Sequence, residues 1–469
     1  MSFNSLQFLL FFPMVVLGYF LLNPKHRWKL LLAASCLFYM AFKPSYLLIL
    51  FFTIGIDYLA GIYIEQSTGS KRKLLLALSI FANLGGLAVF KYYCFIETNF
   101  NLLFTFLYQA APLPVLDIIL PIGLSFHTFQ AMSYTIEVYR GNQVAEKNPG
   151  IYALYVMFFP QLVAGPIERP QNLIHQFYEI HVWDFERIKA GLTRMAFGFF
   201  KKVVVADRLA VLVSDSYTHV EQHNGLSILL STLAFTFQIY FDFSAYTDIA
   251  LGAAQVLGFK LMENFRNPYS ATRIAEFWHR WHISLSSWFR DYVYIPLGGN
   301  RVSMWRWGFN IMLVFMLSGL WHGASWKYVV WGSIHGIYMI AALIKDQLFI
   351  RTGLKASKGV ITETMNRVIT FALVAFAWIF FRADNFNTAL IAIHKIFHLA
   401  ASNPMHFSLN LNEIIFTVAM LILVMLKEKY VATLPTGSTP GFVIVFGGLT
   451  ALCYLFGFFN ANQFIYFQF

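Results

Sequence analysis

The chain has 469 residues, of which 58% are hydrophobic and only 12% are charged, and its formal net charge is +11. Soluble domains carry about 25% charged residues, so the polar side chains here are too few to cover a water-soluble particle of this size. The composition therefore excludes an ordinary soluble protein and predicts one polytopic, all-α membrane domain over residues 1–469.

The positive charges are placed as membrane topology requires. Lys25, Arg27 and Lys29 follow the first apolar run, and the basic residues 71–73 follow the third. Short basic loops of this kind orient membrane spans with the loops in the cytoplasm. We therefore predict that residues 23–29 and 65–73 are inside and residues 91–116 outside, and that nucleic acid is not a partner.

Apolar runs predict about eleven transmembrane helices, together with re-entrant and interfacial segments. A spanning helix needs ~20 mostly apolar residues, and some runs are short enough to be re-entrant. In chain order the runs are Leu6–Leu22, Leu30–Tyr39, Tyr46–Ile64, Leu74–Phe90, Ile118–Val138, Leu226–Tyr240, Ile311–Leu320, Tyr328–Leu343, Val368–Phe381, Ile414–Leu426 and Phe442–Phe459.

Between Asp184 and Lys202, apolar residues recur at helical spacing and cations fill the positions between them. This pattern predicts an amphipathic helix on the cytoplasmic surface of the membrane. A helix that packs on the protein without touching lipid is the alternative. The middle of the chain, residues 121–338, is rich in His, Trp, Asp, Gly and Pro, and polar groups at membrane depth usually line a site.

One histidine, His322, lies between apolar stretches in the segment Leu317–Trp326. Gly319 and Gly323 permit close backbone approach, and Trp321 can wall a dry pocket. A neutral imidazole is a suitable general base because its ordinary pKa of ~6.5 lies near neutrality. A structural histidine bonded to a carbonyl explains the same pattern equally well.

The stretch from Glu276 to Asp291 is the densest polar and aromatic cluster of the chain. Glu276, His279 and His282 recur every three residues and share a helix face. Di-iron helical sites use this spacing, but they need a second contributing segment, and none matches it here. The zinc-protease pattern HExxH is also missing, so we predict no metal.

Two carboxylates, Asp242 and Asp248, follow the end of a predicted span. Acids at membrane depth act in proton relays or pair with cations. The sequence favours structural pairing with Arg266, Arg280 or Arg290, near the site rather than in it.

Taken together, these segments resemble the membrane-bound O-acyltransferase superfamily, and within it the alginate O-acetyltransferase-like branch. The similarity covers essentially the whole chain and is densest over residues 121–338. The motifs are Pro121-Ile-Gly-Leu-Ser-Phe-His-Thr-Phe-Gln130, Tyr139-Arg-Gly141, Ala164-Gly-Pro-Ile167, Gly198-Phe-Phe-Lys-Lys202, Tyr240-Phe-Asp-Phe-Ser-Ala-Tyr-Thr-Asp248, Trp281-His-Ile-Ser-Leu-Ser286, Arg290-Asp-Tyr292, Leu297-Gly-Gly-Asn-Arg301, Gly319-Leu-Trp-His-Gly323 and Trp331-Gly-Ser-Ile-His-Gly336.

The resemblance implies many helices around a central channel in a bacterial inner membrane. It implies that His322 is the catalytic histidine and His282 the second motif histidine, that acetyl-coenzyme A is the cytoplasmic donor, and that no cofactor stays bound. A periplasmic SGNH or esterase-like partner is expected to place the acetyl group on sugar hydroxyls. The expected supporting residues are Trp321, Asp242, Asp248, Arg290 and Asp291.

The chemistry agrees with this expectation. A thioester is already activated, so its transfer to a hydroxyl needs a base and a pocket for the oxyanion, without a metal. A water-poor site also limits hydrolysis. His322 is expected to remove the acceptor proton or, as the less favoured alternative, to carry the acyl group itself.

The residues from Asn462 to Phe469 form an aromatic run that contains Tyr466. Composition alone favours an aromatic belt at the membrane interface. The pattern is also similar to the tyrosine-bearing terminal motif of peptides that relay acyl groups in teichoic-acid D-alanylation and related systems. The sharper hypothesis is that Tyr466 enters the channel near His322 and receives the acyl group.

The rival function is a transporter or flippase for an acylated lipid or glycan precursor, with the polar centre as its binding site. The lack of an inverted sequence repeat and the histidine constellation argue against it. A membrane desaturase is a third interpretation, weakened because the required histidine boxes are missing. Alginate, peptidoglycan and cellulose all fit as acceptors.

Overall fold

The computed structural model describes residues 1–108, 112–116, 118, 120–163, 165–353, 359–398, 407–431, 434–435, 437–459 and 464. Within these residues the regular structure is helical, and no strand occurs. The all-α fold class is therefore confirmed for the part of the chain that the structure describes.

The chain divides into two compact units, each built from three stretches of sequence. The first contains Met1–Phe199, Tyr246–Met262 and Pro435–Gly448, and the second contains Phe200–Ala245, Glu263–Leu434 and Leu449–Phe469. The prediction of one domain over residues 1–469 stays a prediction.

Helices that belong wholly or mostly to the first unit begin where local chemistry favours a helix start. Asn23 and Asn148 each cap a helix whose first residue is proline. Proline is favourable at this position because it lacks a backbone amide, and the first amides of a helix have no partner within the helix. The helices are α1 (Leu6–Leu21), α2 (Pro24–Met40), α3 (Tyr46–Gln66), α4 (Gly69–Leu87), α5 (Tyr93–Tyr108), α6 (Leu124–Arg140), α7 (Pro149–Met157), α8 (Pro170–Leu173) and α9 (Phe185–Phe200).

Helices α4 and α5 are joined by a π-helical turn, Ala88–Tyr92, into one helical stretch of 40 residues. At 1.5 Å per residue it is about 60 Å long, roughly twice the thickness of the hydrocarbon core. The stretch from residue 91, which was predicted to lie outside, is thus helical as far as Tyr108.

Helix α9 is packed against protein along much of its length. Ile188, Met195 and Phe197 are buried, and a Cβ at Gly191 would lie 2.8 Å from the carbonyl oxygen of Gly252. This packing favours the alternative of a protein-packed helix over an amphipathic helix lying on lipid.

The second unit holds the remaining helices and two further π-helical turns, Lys201–Ala206 and Arg290–Tyr294. Its helices are α10 (Asp207–Thr218), the first part of α11 (Gly225–Leu257), α12 (Ile274–Arg280), α13 (Ile283–Phe289), α14 (Met304–His322), α15 (Trp326–Thr352), α16 (Val360–Arg382), α17 (Phe386–Phe397), α18 (Leu411–Tyr430) and the end of α19 (Thr439–Phe456).

Helices α14 and α15 touch backbone to backbone, and glycine makes this possible. A Cβ at Gly319 would lie 2.2 Å from the carbonyl oxygen of Tyr328, and one at Gly332 would lie 2.2 Å from that of Phe315. Small residues allow such close approach between membrane helices. The contact positions the C-terminal end of α14, where His322 is found.

Six helices of the described residues are long and apolar enough to cross a membrane: Tyr46–Gln66, Gly69–Tyr108, Gly225–Leu257, Trp326–Thr352, Val360–Arg382 and Thr439–Phe456. Two shorter helices, α1 and α17, are also apolar. These helices fit the predicted polytopic membrane architecture, whereas the predicted count of eleven spans is not confirmed.

Candidate active site

His322 is the last residue of α14, and its side chain is almost completely buried, with 2% of its surface exposed. Its ring packs edge-on against Trp331, at 5.1 Å between ring centroids, and against Phe381 at 5.4 Å. The imidazole therefore lies in a predominantly aromatic environment of the second unit.

His282 lies in the bend between α12 and α13 and has a left-handed backbone, with φ 42° and ψ 55°. Asn264 holds this bend: its carbonyl oxygen accepts the amide of Ile283 at 3.0 Å, and its side-chain oxygen accepts the amide of Ser284 at 3.1 Å. A residue with a Cβ adopts this conformation at a cost of about 1–3 kcal/mol, and such strain clusters at functional sites.

The structure brings the two predicted histidines together. The ring centroids of His282 and His322 are 6.4 Å apart, and Trp321 packs edge-on against both, at 5.9 and 5.0 Å. Phe243 covers another edge of His282 at 4.7 Å. The two imidazoles are close enough for one small reacting group to contact both through hydrogen bonds of ~2.9 Å.

Burial lowers the pKa of the His282 imidazole to about 3. The ring is therefore neutral at physiological pH, with one nitrogen as donor and the other as acceptor. A neutral histidine beside His322 can donate to a developing oxyanion while its neighbour takes a proton.

Buried tryptophans form a cluster beside the pair. Trp331 stacks on Trp378 at 5.5 Å, Trp281 packs on Trp378 at 5.1 Å, and all three are fully buried. The sequence does not single out Trp378, because it lies in an apolar run where nothing distinguishes it from lipid-facing aromatics. Trp331 could have been found, since it begins the motif that ends at Gly336.

His279 and Glu276 do not join this cluster. His279 is exposed, and the Glu276 carboxylate accepts hydrogen bonds from Arg280 at 2.6 Å and from the Thr272 amide at 2.7 Å. In the described part of the chain no three metal-ligating side chains converge. The Glu276 carboxylate therefore stabilises the start of α12 through local hydrogen bonds.

Asp242 pairs with a lysine, and the predicted pairing with Arg266, Arg280 or Arg290 is wrong. Lys202 Nζ lies 2.6 Å from Asp242 Oδ1 and 2.8 Å from Asp207 Oδ1, all three residues being buried. Sequence periodicity put Lys202 on the polar face of a surface helix, whereas the π-helical turn Lys201–Ala206 directs it into the protein.

The electrostatics of this ion cluster follow from burial and mutual attraction. Burial raises the pKa of Asp207 to about 7, although the Lys202 ammonium opposes this shift. Burial lowers the pKa of Lys202, but the carboxylates of Asp242 and Asp207 outweigh it, so the pKa lies above its ordinary value. Lys202 is therefore charged at neutral pH.

The adjacent Lys201 makes a second buried link, with Nζ 2.9 Å from Ser244 Oγ and 3.0 Å from Glu428 Oε1. Asp242 and Ser244 flank Phe243, the residue that packs on His282. The two lysines thus hold the turn of α11 that presents Phe243 to the histidine.

The other candidate residues lie elsewhere. Asp248 belongs to the first unit, where it pairs with Arg194 at 2.9 Å rather than with one of the three predicted arginines. Arg290 is exposed and pairs with its neighbour Asp291 at 2.8 Å. Their supporting roles stay predictions. Tyr466 lies outside the described residues.

Phe464 connects the C-terminal segment with the histidine pair. Its side chain exposes 4% of its surface and packs on Phe243 at 5.7 Å between centroids. Phe243 in turn contacts His282, so one aromatic ring separates Phe464 from the candidate site.

Comparison with known proteins points to one family. The family model MBOAT, described as the membrane-bound O-acyltransferase family, matches residues 127–382, which is more than half of the chain. This range contains both histidines of the pair and the tryptophans around them.

Three named relatives carry related descriptions. The chain is 40% identical to "Probable alginate O-acetylase AlgI" of Pseudomonas aeruginosa, over 83% of this chain and 73% of the relative. It is 34% identical to the peptidoglycan O-acetyltransferase of Helicobacter pylori, over 88% and 82% of the two chains. It is 30% identical to the teichoic acid D-alanyltransferase of Bacillus subtilis, over 46% and 58%.

Proposed function

The chain belongs to the membrane-bound O-acyltransferase family, and from this premise we propose that it passes an acetyl group from acetyl-coenzyme A across the bacterial inner membrane for O-acetylation of an extracytoplasmic polysaccharide. Membership makes it a multi-pass membrane O-acyltransferase. Family membership does not specify four further features, which we propose: the acyl donor, the direction of transfer, the membrane in which the protein lies and the acceptor.

The observation that carries the chemistry is the buried pair of His282 and His322, with ring centroids 6.4 Å apart. In the proposed step, His322 takes the proton of an acceptor hydroxyl as its oxygen attacks the thioester carbonyl. The new C–O ester bond forms and the C–S bond breaks. His322 then returns the proton to the departing thiolate, so no net proton is consumed.

His282 is proposed to stabilise the oxyanion. Its neutral ring can donate one N–H, and a donor in a water-excluded site stabilises developing charge far more than the same donor in water. The strained backbone of His282 fits this role, because a residue held in one orientation does not have to reorganise during the reaction.

Relatives support the acetyl group and the polymer class. The relatives with the greater coverage of both chains are named O-acetylases or O-acetyltransferases, and their named acceptors are alginate and peptidoglycan. The D-alanyltransferase relative shares less of its length. We propose that a periplasmic SGNH or esterase-like partner completes delivery to the polymer.

Tyr466 is proposed as the acyl relay between His322 and that partner. Support comes from Phe464, two positions earlier in the sequence, which packs on Phe243 beside His282. An acyl tyrosine ester is chemically reasonable here, because the base that deprotonates a sugar hydroxyl can also deprotonate the phenol, whose oxygen then attacks the thioester carbonyl while the thiolate leaves with the proton.

The test uses purified protein in proteoliposomes with isotopically labelled acetyl-coenzyme A. We expect His322→Ala to reduce acetyl transfer by about 100-fold or more, since removal of a general base usually costs 10²–10⁴-fold. His279→Ala is the matched control, because His279 belongs to the same histidine-rich region but is exposed.

Full transfer by His322→Ala, with protein that elutes as the wild type does, contradicts the assignment. Movement of an acylated lipid or glycan without any cleavage of the thioester would instead support the transporter interpretation.

A further inference from the structure

Asp57 is an acidic residue in the middle of α3, a helix that is long and apolar enough to cross a membrane. At 1.5 Å per residue, its Cα lies about 15 Å from either end of the helix. The side chain is fully buried, and the proposed acyl transfer does not use it. Acidic residues at membrane depth are costly, and they commonly mark the path or the binding site of an ion.

Neutral side chains of α4 and α6 surround this carboxylate. Asp57 Oδ1 accepts a hydrogen bond from Ser79 Oγ at 2.6 Å. Asn83 Nδ2 donates to Asp57 Oδ2 at 2.8 Å and to Oδ1 at 3.0 Å. Ser79 Oγ also lies 3.2 Å from Thr135 Oγ1. Since Ser79 and Asn83 share one face of α4, three helices meet at the Asp57 carboxylate.

The donors to Asp57 carry no charge. Within the ranges that the structure describes, no lysine, arginine or histidine pairs with its carboxylate. The buried Asp242 and Asp207 differ in this respect, because Lys202 Nζ lies 2.6 and 2.8 Å from their carboxylate oxygens. A buried charge without a counter-charge is strongly destabilising. The Asp57 carboxylate is therefore hydrogen-bonded, but its negative charge is not offset by a protein cation.

Two oxygen atoms near this carboxylate have no hydrogen-bond partner in the described part of the chain. They are Oδ1 of Asn83 and the phenol oxygen of Tyr152 on α7, and both residues are buried. Tyr152 is within electrostatic range of Asp57, and its ring packs on that of Tyr134 at 4.4 Å. Buried polar atoms normally have a partner, and oxygen atoms of this kind are the ligands that hard cations prefer.

Titratable groups on the helices that pack against α3 do not supply the missing positive charge. From α7 and α6 they are the tyrosines Tyr152 and Tyr134, which are neutral at physiological pH. Further along α6, Glu137 pairs with Arg140 at 3.1 Å. Among the described residues, no titratable group of α2 or α4 acts on Asp57. The offsetting charge must therefore come from a bound ion.

We propose that Asp57, Ser79 and Asn83 form a binding site for a monovalent cation, a proton or Na⁺, in the first unit. Either ion neutralises one carboxylate. A proton forms an O–H bond with Asp57 and allows it to donate to an oxygen such as that of Tyr152, whereas Na⁺ is held by ion–oxygen contacts. The occupied site stabilises the packing of α3, α4 and α6.

Thermal unfolding in detergent tests the site. Unfolding of the wild type is followed between about pH 5 and about pH 9, in NaCl and in choline chloride at equal ionic strength. In choline chloride we expect the unfolding temperature to fall as the pH rises, by on the order of 5 °C, because release of the proton leaves an unpaired buried charge. A smaller fall in NaCl identifies Na⁺ as the ion that replaces the proton, and equal falls in the two salts identify the proton alone.

Asp57→Asn is the central variant, because asparagine keeps the shape of the side chain and does not ionise. Its unfolding temperature should lose the part of the pH and Na⁺ dependence that Asp57 causes in the wild type. Glu363→Gln is the matched control. Glu363 is an exposed acid on α16 that pairs with Arg367, so this variant should keep the wild-type response.

Ser79→Ala gives an independent measurement in which the carboxyl group is kept. The Ser79 hydroxyl donates to the Asp57 carboxylate, and a hydrogen bond to the charged form favours release of the proton. Removal of this hydroxyl should therefore move the fall in choline chloride to higher pH.

Equal responses of the wild type and Asp57→Asn in both salts contradict the proposal, as does a pH profile of Ser79→Ala that matches the wild type. Acetyl transfer is a separate measurement. Its absence in the wild type would contradict the proposed function and leave the cation site unaffected, since no step of that reaction uses Asp57.

Discussion

His282 has a backbone conformation that residues with side chains usually avoid, and it is held there by a neighbouring segment. The backbone and side-chain oxygens of Asn264 accept hydrogen bonds from the amides of Ile283 and Ser284, the two residues that follow His282. The imidazole is thereby presented to His322 from a bend rather than from a regular helix. The left-handed bend directs the His282 ring to a position that a regular α-helical residue at 282 would not reach.

The strain predicts an unusual order of variant stabilities. Glycine adopts φ near +42° without steric penalty, whereas alanine does not. We expect His282→Gly to be more stable than His282→Ala by about 1 kcal/mol, although glycine removes more of the side chain. Thermal unfolding in detergent measures this difference.

Ser284→Gly and Ser284→Ala are the control pair, because Ser284 lies within helix α13. There alanine should be the more stable variant, by about 1 kcal/mol. The same order at both positions would show that the left-handed bend at residue 282 does not affect stability.

The pair of helices α14 and α15 positions His322 through backbone contact. Gly319 is three residues before His322 in the sequence, and it touches the carbonyl of Tyr328 on the partner helix. Tyr328 also lies against the Gly323 backbone, where a Cβ would be 2.2 Å from its ring. Helix separation in this region would move the imidazole away from His282.

Gly319→Ala should therefore reduce both stability and acetyl transfer. Inserted methyl groups in tight packing cost about 1–3 kcal/mol, and a shift of about 1 Å at a reacting group can lower the rate 10²-fold. Gly308→Ala is the matched control on the same helix, because its Cβ would meet only the end of Ile340 at 3.9 Å. Equal effects of the two substitutions would contradict the close-contact explanation.

The buried ion cluster of Lys202, Asp207 and Asp242 gives a second prediction about element packing. Removal of one member of a buried charged group is destabilising by about 3–5 kcal/mol, so Lys202→Met should unfold at markedly lower temperature. Arg367→Met removes an exposed ion pair and should change stability by about 0–1 kcal/mol.

The double variant Lys202→Met with Asp242→Asn should recover part of the loss, because it removes a buried carboxylate together with its counter-charge. Additive losses in the double variant would indicate that Lys202 and Asp242 do not stabilise one another. Acetyl transfer measured on the same proteins would show whether loss of the ion pair displaces Phe243 and thereby disturbs His282.

The whole chain has a charge pattern that predicts its orientation in the membrane. The basic residues 71–73, which lie near the start of α4, are expected in the cytoplasm, and residues 91–116 on the opposite side. The helical stretch Gly69–Tyr108 is long enough to connect the two faces. The orientation decides from which side the proposed acetyl donor would approach.

Single cysteines test this orientation in a background in which Cys36, Cys94 and Cys453 are replaced by alanine. In intact spheroplasts, a membrane-impermeant maleimide should label Val115→Cys, which is highly exposed. It should label Ser70→Cys only after the membrane is permeabilised. The reverse result would place the basic residues 71–73 outside and contradict the proposed donor site on the cytoplasmic face.

The features that could be predicted from the sequence are those with a local signal. Apolar runs of ~20 residues predict helices in a membrane, and the motifs around residues 282 and 322 directed attention to the two histidines that the structure brings to 6.4 Å of one another. The partners of charged residues were not predicted correctly. The helical pattern counted Lys202 among the cations of a helix expected on the membrane surface, and Asp242 was expected beside an arginine, whereas the structure pairs these two buried residues.

These partners could not be predicted because composition and periodicity carry information only about nearby residues in the chain. Over a few helical turns, composition and periodicity indicate whether a residue faces water, lipid or protein. They are therefore sufficient to predict a helical membrane protein with His322 in an apolar environment. The ion pair of Lys202 with Asp242, the ring of Phe243 against His282 and the packing of Phe464 join residues far apart in the chain. These contacts exist only once the helices are packed, because a π-helical turn or a left-handed bend redirects side chains in a way that regular periodicity does not encode.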